Sequence, residues 1–528
     1  MKFRKVVLFF MIVSFGLIIE GIGVGRRVMN DEGFEGFRGI QIDGDFPFSR
    51  ISRFRGPSFD FTESQTSDPS GIAGLEVSNE YGDVTVRRTS DPKAEIGIGL
   101  RKEVFTRQSD GAEAISEKLK LVVRREGSLL KISTTRDPRA DYRVRTHIEI
   151  DTPAPLDTRV TNRHGRIVVE GAKAVNVDGE FDEMRVVDVS GECKAKNRHG
   201  NLEVVSAVLG CRVEVEYGDA HVEKLMAPSR VEVAHGNLNA VDIAALTANL
   251  RFADLQARTI GGDLMSDGEH SDLRIDDVKG EVTLHNQGDI DIQNVLGRVS
   301  IDNQRGHVRL LKAAAAVVIK NTYDSVEATE VGGLLDVNNR HGRIRVQQFL
   351  QGANLETDSE DVDASDFSGP LRVTARRGDV SLKPLRKLMF PIDVTVDIGD
   401  VSLALPEAVN ALIDASVERG NVEGEVGALK SSESGKRLLR ATIGAGGALL
   451  KLRSRLGDIK ISSEDDLDVS TPEFPDAPDL DARYRPRLGA DPLPVPPQPA
   501  EAPEGPKAKA PRLPKPPEPP PAPTPDGR

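Results

Sequence analysis

Histidine, cysteine and aspartate recur along this chain at a fixed interval, and the interval decides what chemistry they could do. The position before a turn glycine is filled in successive repeats by Tyr81, His164, Phe181, His199, Tyr217, His235, Phe252, His270, Tyr323 or His341. A row of imidazoles could in principle ligate a metal. His199 and His235, however, stand two repeats apart with Tyr217 between them, and strands two rungs apart are separated by about 9.6 Å. A Zn–N bond is about 2.1 Å long. Phe and Tyr cannot replace an imidazole ligand, whereas all three ring types can stack. The expected use is ring stacking, with no metal and no cofactor.

Two further patterns call for the same test. Gly-Asp turns at Gly82, Gly218, Gly288, Gly378, Gly399 and Gly457 invite comparison with calcium-binding rolls built on Gly-Gly-x-Gly-x-Asp. Here the second glycine is missing, the Asp is often Asn or Arg, and a half-coil period of nine is absent, so calcium is not expected. Cys193 and Cys211 are the only cysteines. One repeat separates them, and Cα atoms one strand apart fall within disulfide range. A disulfide and two buried free thiols both fit. Nothing resembling Gly-x-Ser-x-Gly, His-Glu-x-x-His or a Walker loop is present. Carboxylates are spread over outward and turn positions, so no catalytic, cofactor-binding or metal-binding residue is assigned.

The element that positions these residues is a repeat of about 18 residues. Aligned on the turn glycine, apolar residues stand two and four positions later, as in Leu202/Val204, Ile290/Ile292 and Val308/Leu310. Another aliphatic or Phe stands seven later, as at Val189, Leu225, Ile243, Phe349 and Phe367. An alternating strand follows, such as Cys211/Val213/Val215. Alternation marks half-buried strands, and no single unit can bury its apolar face alone, so neighbouring units must stack. The fold expected is all-β: a parallel β-solenoid, or β-helix, with one coil per 18 residues. In the coil from Gly191 to Val204, Cys193, Ala195 and Asn197 should point inward and Gly200 should turn the corner. Asn79, Asn162, Asn197, Asn303, Asn321 and Asn339 stand three before the turn glycine. Their stacked amides are expected to hydrogen-bond along a column.

Along the chain, Lys2, Arg4 and Lys5 precede an apolar run from Val6 to Ile19. Residues 1–25 therefore read as a signal peptide or transmembrane anchor, with the remainder exported and facing the periplasm or cell surface. Residues 26–70 read as a linker. The repeat body spans 71–462, interrupted by an insertion at about 88–158 with strands near 94–100, 121–123, 129–132 and 144–150 and a helix near 112–120. Residues 463–528 form a Pro-rich tail expected to be disordered; 20 of the 32 prolines lie beyond residue 470. A net charge of −13 argues against nucleic acid as a partner, because phosphate binding needs a basic footprint.

The unit Asn-Arg-His-Gly-Arg-Ile-x-Val, at Asn162–Val169 and Asn339–Val346, resembles the bacterial β-strand-repeat family of adhesin-like proteins, related to head GIN-type domains. Gly444–Gly447 followed by Leu456-Gly-Asp-Ile-Lys-Ile461, and Leu405–Gly420, resemble that family's closing coils. The similarity covers about residues 71–462. It implies an exported β-solenoid of largely uncharacterised function; the residues offer no catalytic constellation, so a non-enzymatic protein of the cell envelope is expected. The expected partners are the membrane, through the amino-terminal segment, and an envelope protein or polysaccharide, with self-association possible. A polysaccharide-active β-helix enzyme and a self-assembling, polymer-forming solenoid are the alternatives.

Overall fold

The computed structural model describes residues 57–136, 143–385, 388–406, 409–426 and 429–463. The apolar amino-terminal run and the Pro-rich tail lie outside these residues. Among the described residues no helix is long and apolar enough to cross a membrane.

Each coil contributes one strand to each of two parallel sheets. In the first sheet, Ala174–Phe181, Cys193–His199 and Cys211–Tyr217 pair in parallel and in register, so that Cys193 faces Cys211 and His199 faces Tyr217. In the second, Met184–Val189, Leu202–Ala207 and Ala220–Leu225 do the same. The expected inward positions are buried: Cys193 and Ala195 are each 2% exposed and Asn197 1%. Residues two, four and seven after the corner glycine, such as Leu202, Val204 and Ala207, form continuous interior columns.

The step from four to seven breaks strict alternation, and the backbone shows how. Asp188, Ser206, Lys224, Asp242, Thr259, Asp277, Asn294, Lys312, Glu330, Gln348 and Asp366 all have φ between 55° and 65°. A single left-handed residue at the sixth position turns the next side chain back inward. It recurs coil after coil without any one residue type, although this conformation is costly for side chains other than Gly, Asn and Asp.

The order of coils in space departs from the order in sequence at both ends. We label the amino-terminal elements β1 (Ser58–Ser67), β2 (Gly74–Tyr81), β3 (Val84–Arg88), β4 (Ile96–Phe105), α1 (Ser109–Lys118), β5 (Leu121–Glu126), β6 (Leu129–Thr134) and β7 (Val144–Thr152). The segment read as an insertion is part of the array: β6 pairs in parallel with β2, and β7 with β3, completing the first coil of the stack. Its alternating Leu130/Ile132 and Ile148/Ile150 are interior residues like any other coil's. Ser58–Ser67, assigned by sequence to the linker, is a strand antiparallel to β4, because Phe59 and Phe61 alternate onto the core. At the other end Ala448–Leu456 lies between Ile392–Ile398 and Ala411–Arg419. The later segment thus intercalates before the earlier one. Leu438–Ile443 and Leu429–Gly435 then continue that edge antiparallel.

A buried ion pair fastens the amino-terminal cap. Lys102 Nζ lies 3.1 Å from Glu63 Oε2 and donates to the Ser116 carbonyl at the end of α1; its side chain is 7% exposed. Lys102→Met removes the charge and both bonds while keeping the stem, at an expected cost of about 1–3 kcal/mol. Hydrogen exchange should show lost protection across residues 109–118 and unchanged protection in the coils beyond residue 174. Unchanged protection in α1 would contradict this account of the cap.

Candidate interaction surface

The corner joining the two sheets gathers the residues that the sequence singled out. Asn197 and its equivalents lie just inside it, the rings on it, and the Gly-Asp aspartates beyond it.

The rings form an unbroken stack. Tyr81, His164, Phe181, His199, Tyr217, His235, Phe252 and His270 follow one another with centroids 4.5–5.3 Å apart and planes within 20°. A second, shorter stack joins Tyr323 to His341 at 5.2 Å. Histidine alternates with Phe or Tyr throughout the long stack, so two imidazoles are never adjacent. Their faces are used against each other, and ring edges remain for solvent: Tyr217 is 46% and Phe252 50% exposed.

The buried asparagines do not form the amide-to-amide ladder expected from their spacing. Nδ2 donates instead to corner carbonyls, of its own coil and the neighbouring one in Asn79, Asn162, Asn197, Asn321 and Asn339, and of its own coil in Asn303. Asn339 Nδ2 reaches the Asp324 and Gly342 carbonyls, both at 2.9 Å, and Asn162 Nδ2 those of Gly82 and Gly165, both at 2.9 Å. The corner turns its carbonyls inward, so backbone acceptors compete better for the amide hydrogens than the next side chain does. Asn286 belongs to the same column, pairing in register with Asn303. It stands two residues before Gly288, one fewer than its equivalents, and the alignment on the turn glycine missed it.

The corner aspartates, in Gly-Asp turns and at the equivalent Ala253-Asp254 and Ser271-Asp272, also have a backbone task. Asp219 Oδ1 accepts from the Asn237 amide, Asp254 from Asp272, Asp272 from Asp289 and Asp289 from His307, at 2.8–3.0 Å. Every carboxylate thus ties its corner to the next. Burial, with Asp254 and Asp289 adding repulsion, pushes the Asp272 carboxyl above its ordinary value, and the amide of Asp289 opposes this. A carboxyl raised on folding weakens the fold above its folded value, and that cost is relieved as pH falls towards the unfolded value. Asp272→Asn keeps the acceptor, as Asn201 does for Asp219, and removes the charge. At this exposed corner it should stabilise the fold by about 0.3 kcal/mol at pH 7. The gain should shrink as pH falls towards 3.8; a constant gain in urea titrations across that range would contradict the electrostatic cause.

Cys193 and Cys211 form a disulfide, Cα atoms 4.6 Å apart, joining adjacent coils inside the first sheet. Histidine–serine contacts were not apparent from spacing. His307 Nδ1 lies 2.8 Å from Ser325 Oγ, and His341 Nδ1 2.9 Å from Ser359 Oγ. The same contact in two places, each between residues 18 apart in sequence, is a rung-to-rung bridge. Among the described residues no group of three or more His, Cys, Asp or Glu is arranged to hold a metal ion.

Residues 251–462 match the family model described as Toastrack DUF4097. The solenoid geometry reaches well beyond that match, back to Gly74. No curated protein matches the chain. Among solved structures, a "putative cell adhesion protein" from Clostridium sporogenes is 8% identical, over 77% of this chain and 100% of its own, with a TM-score of 0.13. A "putative adhesin" from Bacteroides fragilis is 11% identical, over 76% of this chain and 97% of its own, also with a TM-score of 0.13. Scores of this size carry no argument, and the fold rests on the strand pairing described above.

Proposed function

We propose that this chain is an exported, adhesin-like protein of the cell envelope, held at the membrane by its amino-terminal segment and acting as a non-enzymatic interaction or scaffolding rod. The observation that carries this reading is the stack itself. Parallel coils run without a break from the β6/β7 coil to Ala411–Glu425, and antiparallel strands finish both ends. Such a body presents long, regular side-chain rows to a partner. The Cys193–Cys211 bond supports export, since disulfides persist in oxidising compartments.

The corner aspartates are engaged by backbone amides, and on the first sheet Glu214, Glu216 and Glu232 are held in ion pairs with arginine or lysine, which favours the non-enzymatic reading over a polysaccharide-active enzyme. A polymer-forming solenoid pairs open end-coil edges between copies, whereas here the edges of the end coils are already occupied by antiparallel strands of the same chain.

In-cell crosslinking followed by mass spectrometry tests the reading. The expected result is crosslinks from the rod's lysines to envelope components. Crosslinks confined to cytoplasmic proteins would overturn export, and crosslinks joining the end coils of two copies would favour the polymer.

A further inference from the structure

A groove of about 400 Å³ crosses the first sheet beside the ring stack, from Lys196 to Glu269. Its cause is legible in one row. The residues immediately preceding the rings are Arg198, Glu216, Ala234, Arg251 and Glu269 in successive coils. Ala234, in register with Arg251, is the one short side chain among them, and the sheet beneath it, at Val215, Val233 and Leu250, becomes the floor.

The walls are acidic. Glu214, Glu216, Glu232, Asp267 and Glu269 line the groove against only two cations, Lys196 and Arg251. Glu214, Glu216 and Glu232 are shared with arginines or lysine on the same face. Asp267 and Glu269 have no ion-pair partner among the described residues. Beside the groove, next to its lining residues Glu216 and Arg251, stand the exposed rings of Tyr217 and Phe252, with His235 stacked between them. Ring edges offer an apolar rail for methylene stems, which suits Lys and Arg because their long stems lie on apolar surface while the charged head reaches elsewhere.

We propose that this groove binds an extended cationic segment of a partner protein, a short run of Lys or Arg whose stems lie along the ring edges and whose heads meet Asp267 and Glu269. Charge complementarity selects this occupant, and the groove's length sets its size. Five in-register strands at about 4.8 Å span roughly 19 Å, or about six extended residues. The proposal rests on the reading of the chain as an interaction rod, but the two can fail separately: a rod that engages its partner elsewhere loses only the groove.

The test is titration of the full chain with capped hexalysine, at low and at physiological salt. Binding is expected to weaken with salt and to fall at least tenfold in Asp267→Lys/Glu269→Lys. Ala234→Leu fills the groove without changing charge and should cause a comparable loss. Asp358→Lys, on the same sheet but away from the groove, should leave binding within twofold. Thermal unfolding of each variant by circular dichroism verifies that the fold is retained. Equal binding by Ala234→Leu and the native chain would overturn the groove, leaving only diffuse surface charge. Equal loss in Asp358→Lys would do the same. Sedimentation showing a dimer that Asp267→Lys/Glu269→Lys disperses would assign the groove to a second copy instead.

Discussion

Gly200→Ala is expected to destabilise the solenoid by about 3 kcal/mol, the sum of backbone strain and overpacking each of 1–3 kcal/mol. Gly200 has φ +149°, and an added Cβ would lie 2.0 Å from the Asp182 carbonyl oxygen of the preceding coil. That atom is backbone and cannot rotate away. The coil would have to part from its neighbour, and the Gly200 amide, which donates to the Tyr217 carbonyl at 2.9 Å, would lose its alignment. Because stability in a repeat array is largely nearest-neighbour, the loss should be local. Hydrogen exchange should rise in the strands flanking residue 200 while coils beyond Leu335 keep their protection. The chain supplies its own comparison at Asp182, where φ is 76°, a left-handed conformation that Asp adopts more readily than most residues. Asp182→Ala should cost far less than Gly200→Ala. A urea midpoint for Gly200→Ala matching the native one would refute the close-approach argument.

Phe367→Ala should cost about 3–5 kcal/mol, the range for removing a buried aromatic ring. Phe349 and Phe367 occupy the seventh position of adjacent coils, where others carry Val, Leu, Ile or Ala. Both are fully buried, with ring centroids 5.0 Å apart and planes 5° from parallel. Removal leaves a void against Phe349 that the hydrogen-bonded strands on either side cannot collapse into. Phe367→Leu retains most of the volume and should cost less than about 1.5 kcal/mol. The urea midpoints should fall in the order native, Leu, Ala. A loss below about 1 kcal/mol for Ala would mean that neighbouring coils relax more freely than a close-packed interior permits.

Much of the architecture was legible because the signal repeats. Val204, Val222 and Ala240 occupy equivalent places in consecutive coils, and an inward column is one pattern sampled many times. The ring column was legible for the same reason: Phe, Tyr and His share little except a flat face. The asparagine column was only half legible. Its burial followed from position, but its partners are backbone carbonyls whose direction depends on the corner. Asn286 escaped because its coil is one residue short.

The sequence by itself determined the period, the inward residues and the stacking of rings, because a strand's alternation and an apolar face needing cover leave few solutions. Tertiary structure alone decided the order of the terminal coils, with β6 and β7 ahead of β2 and β3 and Ala448–Leu456 ahead of Ala411–Arg419. Interior residues of one coil look like those of any other, so nothing local says which neighbour a strand will take. It also decided the left-handed residue before each seventh position, adopted by Asp, Ser, Lys, Thr, Asn, Glu and Gln alike. That conformation is imposed by the need to return the next side chain to the core, and the bias of residue type, Asp or Asn at Asp188, Asp242, Asp277, Asn294 and Asp366, is too weak to mark the position in every coil.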